Sequence, residues 1–119
     1  MPAKGARTPR PNSEGNSGSK AYEVRWEEQA RVMLLAVNDR KVQGQLIEKS
    51  ESLSENPHNQ GKPLQEPLAG FRSIRMRRYR TVYHIKGKKA FVAAAGIRKE
   101  GDRHDVYTLA RKLFRQKLL

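Results

Sequence analysis

Residues 1–20 are mostly polar, and the residues after them show regular patterns of apolar and polar positions. Residues 1–20 contain three prolines and no apolar side chain larger than that of Met1. Burial there cannot offset the entropy cost of ordering, so we expect a disordered basic tail. Apolar and polar residues alternate from Tyr22 to Trp26, which predicts a short β-strand. Residues 21–119 are expected to form a single domain.

Two helices are predicted after this strand, and Asn38-Asp39 separates them. This pair interrupts the first helix and can cap the second. The second helix is expected to end at Asn56-Pro57, because the residue before a proline disfavours the helical conformation. The apolar residues at helical spacing are Ala30, Met33, Leu34 and Val37 in the first segment, and Val42, Leu46, Ile47 and Leu53 in the second. The two segments predict a helical hairpin.

The second half of the chain predicts three strands and a final helix. The connection over residues 58–70 is rich in glycine and proline, and we expect Leu64 and Leu68 to anchor it to the core. The strands are predicted at about 71–77, 79–86 and 90–97, and the helix from about His104 to Leu118. The order βααβββα predicts an α+β fold, in which a small antiparallel sheet carries the helical hairpin on one face and is followed by a C-terminal helix.

Positive charge is concentrated in the strand-rich segment. The chain has a net charge of +13, and residues 71–103 hold eleven basic and two acidic groups. Because side chains alternate along a strand, Ile74 and Met76 are expected to point to one face and Ser73, Arg75 and Arg77 to the other. One face of the sheet would then bind a polyanion. Nucleic acid is the favoured partner, and an acidic protein is the alternative.

Other residue types exclude several classes of site and location. The chain has no cysteine, which excludes disulfides, thiolate zinc sites and cysteine nucleophiles. Its three histidines are scattered, so no metal or other cofactor is expected. No apolar run approaches the roughly 20 residues of a membrane span, and the N-terminus lacks the apolar core of a signal peptide. We therefore expect a cytoplasmic protein that does not contact the membrane.

Several short motifs occur in a defined order along the chain. They are Asn56-Pro57, Gly61-Lys62-Pro63-Leu64, Leu68-Ala69-Gly70-Phe71-Arg72-Ser73-Ile74-Arg75, Tyr79-Arg80-x-Val82-Tyr83, Gly96-x-Arg98 and Asp105-Val106-Tyr107. With this order and spacing, the segment from Tyr22 to the C-terminus resembles the RelE/ParE superfamily of small toxins from bacterial and archaeal toxin–antitoxin pairs.

The resemblance implies a function and partners. Members of the RelE branch are metal-independent endoribonucleases that enter the ribosomal A site and cut the mRNA codon there. A cognate antitoxin wraps around the toxin and blocks its basic face. The resemblance thus implies an antitoxin, the ribosome and mRNA as partners, and a toxin–antitoxin complex that binds operator DNA through the antitoxin.

The resemblance also assigns candidate catalytic residues. Arg80 and Arg98 match the family's phosphate-contacting arginines, and Tyr107 matches a tyrosine that stacks on a base or assists proton transfer. Ser73 and Arg75 replace two lysines of RelE, and arginine is a poor general base because its pKa is above about 12. We expect His104 to carry the proton instead, since it lies three residues before Tyr107. Candidate bases on the preceding loop are Glu100 and Asp102. Residues expected to bind RNA phosphates are Arg72, Arg75, Arg77, Arg78 and Lys99.

The residues leave three functions open. The first is a ribosome-dependent mRNA endonuclease, which the arginine-rich strand favours together with the retained arginine and tyrosine. The second is a ParE-like poison of DNA gyrase, which has the same fold but lacks the ribonuclease residues. The third is a catalytically weak homologue that only binds its antitoxin, an alternative that the missing lysines keep open.

Overall fold

A computed structural model describes residues 21–119, and the predicted tail lies outside the described residues. The described part forms five strands and three α-helices. In chain order these are β1 (Glu23–Trp26), α1 (Glu28–Leu35), α2 (Arg40–Glu51), β2 (Lys62–Pro63), β3 (Arg72–Met76), β4 (Tyr79–Lys86), β5 (Lys89–Ile97) and α3 (Val106–Arg115), with a 3₁₀ turn at Ser52–Ser54 after α2. None of the helices in residues 21–119 is long and apolar enough to cross a membrane.

All five strands belong to one sheet, in the order β1-β5-β4-β3-β2. The three predicted strands form its antiparallel centre, as expected for consecutive strands joined by tight turns. Two features of the edges differ from the prediction. β1 pairs with β5 in parallel, and a two-residue strand, β2, forms within the connection that was expected to be irregular.

The helical hairpin of α1 and α2 covers one face of the sheet, as predicted. Asp39 caps α2 by accepting hydrogen bonds from the amides of Lys41 and Val42 at 3.0 and 3.1 Å. Two apolar clusters lie under the hairpin, one around Leu46 and one around Tyr83. The predicted core residue Ile47 is an exception, because its side chain is exposed.

The opposite face of the sheet packs against α3. Val106 and Ala110 of the helix are fully buried against Val82 and Ala94 of the central strands. Leu68, expected as an anchor, is buried in the same cluster, and Leu64 is partly buried there. The helix covers only part of this face, and the part beyond its N-terminus stays open.

The start of α3 differs from the predicted one by two residues. Asp105 is the N-cap and accepts hydrogen bonds from the amides of Tyr107 and Thr108 at 3.1 and 3.2 Å. Since the helix begins at Val106, His104 lies outside it. The helical spacing assumed between His104 and Tyr107 therefore does not exist.

Candidate active site

A cleft of about 550 Å³ opens beside the N-terminus of α3. Four cationic side chains and one tyrosine line it, and no carboxylate belongs to its lining among the described residues. We refer to this group as the basic cleft, lined by Gly61, Lys62, Pro63, Leu64, Ser73, Arg75, Arg80, Arg98 and Tyr107.

Strand register places three of the four cationic side chains, those of Lys62, Arg75 and Arg80, on the same face of the sheet. Lys62 lies opposite Ser73 across β2 and β3, and Arg75 lies opposite Arg80 across β3 and β4. Residues directly opposite in an antiparallel pair point to the same face, with Cβ atoms about 5 Å apart. Ser73 faces α3, because its hydroxyl hydrogen-bonds that of Tyr107. Lys62 and Arg75 therefore point to the same face, as does Arg80.

A β-bulge in β5 brings Arg98 to this face. Val82 pairs with Ala94 while the next residue, Tyr83, pairs with Val92, so Ala93 has no partner in the ladder. An extra residue shifts the side-chain alternation by one position. Phe91 before the bulge and Ala94 after it consequently point to the same face as α3. Because every second residue after Ala94 points to this face, the Arg98 side chain lies on it as well.

Two neighbouring arginines are held close together despite their like charge. The carbonyl oxygen of Arg77 accepts a hydrogen bond from Nε of Arg75 at 3.3 Å and from Nη1 of Arg80 at 3.1 Å. Arg77 has a φ of 58°, a left-handed conformation that is uncommon for a residue with a side chain. The turn thus supplies a shared acceptor, which offsets part of the repulsion between the two guanidinium groups.

Asp105 connects the helix N-terminus to Arg98. Its side chain is 1% exposed, and it accepts hydrogen bonds from Nη1 of Arg98 at 2.7 Å and from the amide of Lys99 at 2.6 Å. Burial acts to raise the pKa of Asp105, but the bonds from Arg98 and from the amides outweigh it, so the pKa is lowered. The same hydrogen bond raises the pKa of Arg98. An aspartate whose ionised form is stabilised in this way therefore holds one edge of the Arg98 guanidinium.

Tyr107 is fixed at both its ring and its hydroxyl. The guanidinium carbon of Arg98 lies 4.9 Å from the ring centroid, within cation–π range. The hydroxyl lies 2.7 Å from that of Ser73. Asp105, Arg98, Tyr107 and Ser73 thus form a continuous chain of contacts, in which the last three line the basic cleft and Asp105 is buried behind Arg98.

The structure does not bring His104 into the basic cleft. Its imidazole is 70% exposed, lies 3.5 Å from Asp102 and lines a different, largely apolar pocket beside the end of α1. Asp102, one of the candidate bases, accepts a hydrogen bond from the His104 amide at 2.7 Å, which lowers its pKa and weakens it as a base. Glu100, the other candidate, is exposed and is also absent from the cleft lining.

Four of the predicted phosphate-binding residues also lie outside the cleft lining. Arg72 is half-buried and donates to the carbonyl oxygens of Gln60 and Gly61 at 3.1 and 3.2 Å, so it supports the loop before β2. Arg77 and Arg78 form the exposed turn after β3, where strand alternation no longer applies. Lys99 is exposed, with its ammonium 3.6 Å from Asp102. Of the five predicted residues, only Arg75 lines the basic cleft.

Three residues of this region were not predicted as site residues. Lys62 comes from the unpredicted edge strand, and Ser73 was noted only as a replacement for lysine. Asp105 carries a signal in the sequence, because an aspartate directly before an apolar helical pattern is typical of an N-cap. Nothing local in the sequence indicates that Lys62 faces Ser73.

Among the known proteins compared with this chain, the matches are to solved structures. Neither protein-family models nor curated proteins match the sequence. A chain of the toxin–antitoxin complex RelBE2 from Mycobacterium tuberculosis is similar at 30% identity and a TM-score of 0.61, and the match covers 66% of this chain and 92% of that chain.

Two further structures have the same fold at lower identity. The isolated RelE toxin of Escherichia coli matches at 24% identity with a TM-score of 0.56, over 79% of this chain and 99% of that one. A chain of the chromosomal ParDE system of Pseudomonas aeruginosa matches at 18% identity with a TM-score of 0.57, over 66% of this chain and 98% of that one. The chain belongs to the RelE/ParE toxin superfamily and has its RelE-like α+β fold.

Proposed function

We propose that this chain is the toxin of a toxin–antitoxin pair, and that it acts as an endoribonuclease on mRNA in the ribosomal A site. The observation that carries the proposal is the convergence of Arg75, Arg80 and Arg98 with Tyr107 in one cleft. ParE-type toxins share the fold, so the fold alone does not separate a nuclease from a gyrase poison. The basic cleft with its tyrosine favours the nuclease.

The proposed reaction is attack of a ribose 2′-oxygen on the adjacent phosphorus. A bond forms from the 2′-oxygen to phosphorus, the bond to the 5′-oxygen breaks, and a 2′,3′-cyclic phosphate remains. Negative charge increases on the non-bridging oxygens in the transition state. Arginine suits their stabilisation, because its planar fork binds two phosphate oxygens and stays charged.

The positions of the side chains suggest a role for each. Arg80 and Arg98 bind the scissile phosphate, and Arg75 adds charge beside Arg80. Because Arg98 contacts the Tyr107 ring, a nucleotide whose phosphate binds Arg98 has its base within reach of that ring for stacking. The protein supplies all the cations of this route, so the reaction as proposed needs no metal.

The proposed partners follow from the charge of the cleft and from the family. The cleft binds mRNA on the ribosome, and a cognate antitoxin covers the basic face when the toxin is silent. The resulting complex would bind operator DNA through the antitoxin. All of these partners are cytoplasmic, and we propose the cytoplasm as the location.

Induced expression followed by mapping of mRNA 5′ ends tests the proposal in cells. We expect new 5′ ends within translated reading frames within minutes of induction, and none after induction of the Arg80→Ala/Arg98→Ala double variant. Arg31→Ala is the matched control, because Arg31 is exposed on α1 and is not part of the basic cleft.

The same experiment distinguishes the competing functions. Intact messages in cells that stop growing would contradict a nuclease. If purified toxin then stabilised double-strand breaks made by DNA gyrase, the ParE-like function would replace it. Unchanged toxicity of the double variant would favour a protein that acts only by binding.

A further inference from the structure

The basic cleft contains abundant positive charge but only one lysine. Three of its four cations are arginines, which do not release protons at working pH. His104 lies elsewhere, and Asp105 is buried and held in its ionised form by Arg98 and by backbone amides. Lys62 is thus the remaining charged side chain of the cleft that can give up a proton.

The register of β2 positions Lys62 in front of the hydroxyl pair of Ser73 and Tyr107. Lys62 and Ser73 are directly opposite, and a lysine ammonium reaches about 6 Å from its Cα atom, which exceeds the cross-strand separation. The Tyr107 hydroxyl is 2.7 Å from that of Ser73. The ammonium therefore has access to the same wall of the cleft as Arg98 and Tyr107.

Several contacts hold the backbone that carries Lys62. A Cβ atom added to Gly61, whose φ is +67°, would lie only 2.4 Å from the carbonyl oxygen of Ser73. The Tyr83 hydroxyl lies 2.8 and 2.7 Å from the carbonyl oxygens of Pro57 and Gln60. Together with the bonds from Arg72, these contacts fix the path of the chain up to Lys62.

The ammonium itself is not engaged. None of the ion pairs formed among residues 21–119 includes Lys62, and its side chain is exposed. A rigid backbone with an unpaired, solvent-facing lysine beside three arginines is the arrangement expected for a group that meets a phosphate.

We propose that Lys62 is the general acid of this site. As the bond from phosphorus to the 5′-oxygen breaks, the Lys62 ammonium transfers one proton to that oxygen and becomes a neutral amine. A water molecule takes the proton of the 2′-hydroxyl, and Lys62 regains its own proton from solvent after the product leaves. This inference rests on the proposed nuclease function. It assigns proton donation to Lys62, because the arginines of the cleft cannot perform that step.

A sulfur atom in place of the bridging 5′-oxygen tests this role. A thiolate leaves without being protonated, so a substrate with a 5′-bridging sulfur needs no general acid. Ribosomes are programmed with a short mRNA that carries either oxygen or sulfur at the A-site linkage. The rate of cleavage is then measured for the wild-type chain, Lys62→Met and Lys62→Arg, with Lys41→Met on the exposed surface of α2 as the control.

For the oxygen linkage, we expect both Lys62 variants to be slower than the wild type by about 100-fold or more, and the control to be unchanged. For the sulfur linkage, both variants should approach the wild-type rate. Lys62→Arg separates charge from proton transfer, because it keeps the positive charge. Pelleting with the programmed ribosomes should show that this variant still binds.

The possible outcomes separate the two proposals. An equal defect on both linkages would overturn the general-acid role and leave Lys62 as a binding residue. Unchanged rates on the oxygen linkage would overturn the role altogether. Failure of the wild-type chain to cut either RNA would overturn the nuclease function, and the role of Lys62 with it.

Discussion

Asp105 and Arg98 are joined by a hydrogen-bonded ion pair of 2.7 Å, in which the aspartate is buried and the arginine is 30% exposed. The aspartate also caps α3, so one carboxylate sets both the start of the helix and the orientation of a cleft arginine. Stability and activity are therefore coupled at this residue, and substitutions there should affect both.

Asp105→Ala should destabilise the chain and inactivate it. The loss of a helix cap and of a partly buried ion pair together should lower the free energy of unfolding by about 3 kcal/mol. Urea denaturation measures this change, and Asp39→Ala is the matched control. Asp39 caps α2 without a salt bridge, so its loss should cost about 1 kcal/mol and leave cleavage intact. Equal effects of the two substitutions on cleavage would contradict the role of Asp105 in orienting Arg98.

The stability of the chain should fall in acid because of the same residue. Folding lowers the pKa of Asp105 below its ordinary value of 3.8. The stabilisation is therefore complete above that value and is lost as the pH falls through the lower pKa of the folded state. Urea denaturation between pH 7 and pH 2.5 should show a smaller acid-induced loss of stability for Asp105→Asn than for the wild type. Identical pH profiles would contradict this assignment.

Gly61 and Gly44 should respond in opposite ways to alanine. Gly61→Ala introduces a Cβ atom 2.4 Å from the Ser73 carbonyl oxygen at a left-handed position, so we expect a loss of about 2 kcal/mol or more and displacement of Lys62. Gly44 lies within α2 with nothing within 4 Å of an added Cβ atom. Gly44→Ala should therefore stabilise the chain by up to about 1 kcal/mol. Thermal unfolding of both variants tests the pair, and a neutral Gly61→Ala would show that β2 is not tightly held.

The hydroxyl pair of Ser73 and Tyr107 should show an energetic coupling. Tyr107→Phe keeps the ring beside Arg98 but removes the hydrogen bond to Ser73. A double-mutant cycle with Ser73→Ala should give a coupling of about 1 kcal/mol in stability, since each single change leaves one hydroxyl without its partner. Additive effects of the two substitutions would show that the contact contributes nothing. Cleavage should fall further in Tyr107→Ala, which also removes the stacking surface.

Sequence patterns predicted the fold well because its periodicities are local. The hairpin, the three central strands and the Asp39 cap each follow from spacing or from a capping residue. The parallel position of β1 could not be read in this way, because it depends on a contact between residues 23–26 and 89–92. The two-residue β2 is too short to have a periodicity.

The candidate site was less predictable, because long-range register determines it. The segment AFVAAAGIR gives no sign that Ala93 forms a bulge, yet the bulge turns Arg98 toward α3. The cross-strand position of Lys62 likewise appears only when β2 pairs with β3. His104 was chosen on the assumption that α3 begins there, and the Asp105 cap moves the helix start beyond it. Whether His104 contributes to the chemistry from its own pocket stays a prediction, which His104→Ala would test.

Cleavage of RNA by the basic cleft can be measured with purified components. Ribosomes programmed with an end-labelled mRNA are incubated with the wild-type chain, with Arg80→Ala/Arg98→Ala, or with the Arg31→Ala control. We expect the wild type and the control to make one cut in the A-site codon that leaves a 2′,3′-cyclic phosphate, and the double variant to make none. Intact mRNA with the wild-type chain, or equal cleavage by the double variant, would contradict it.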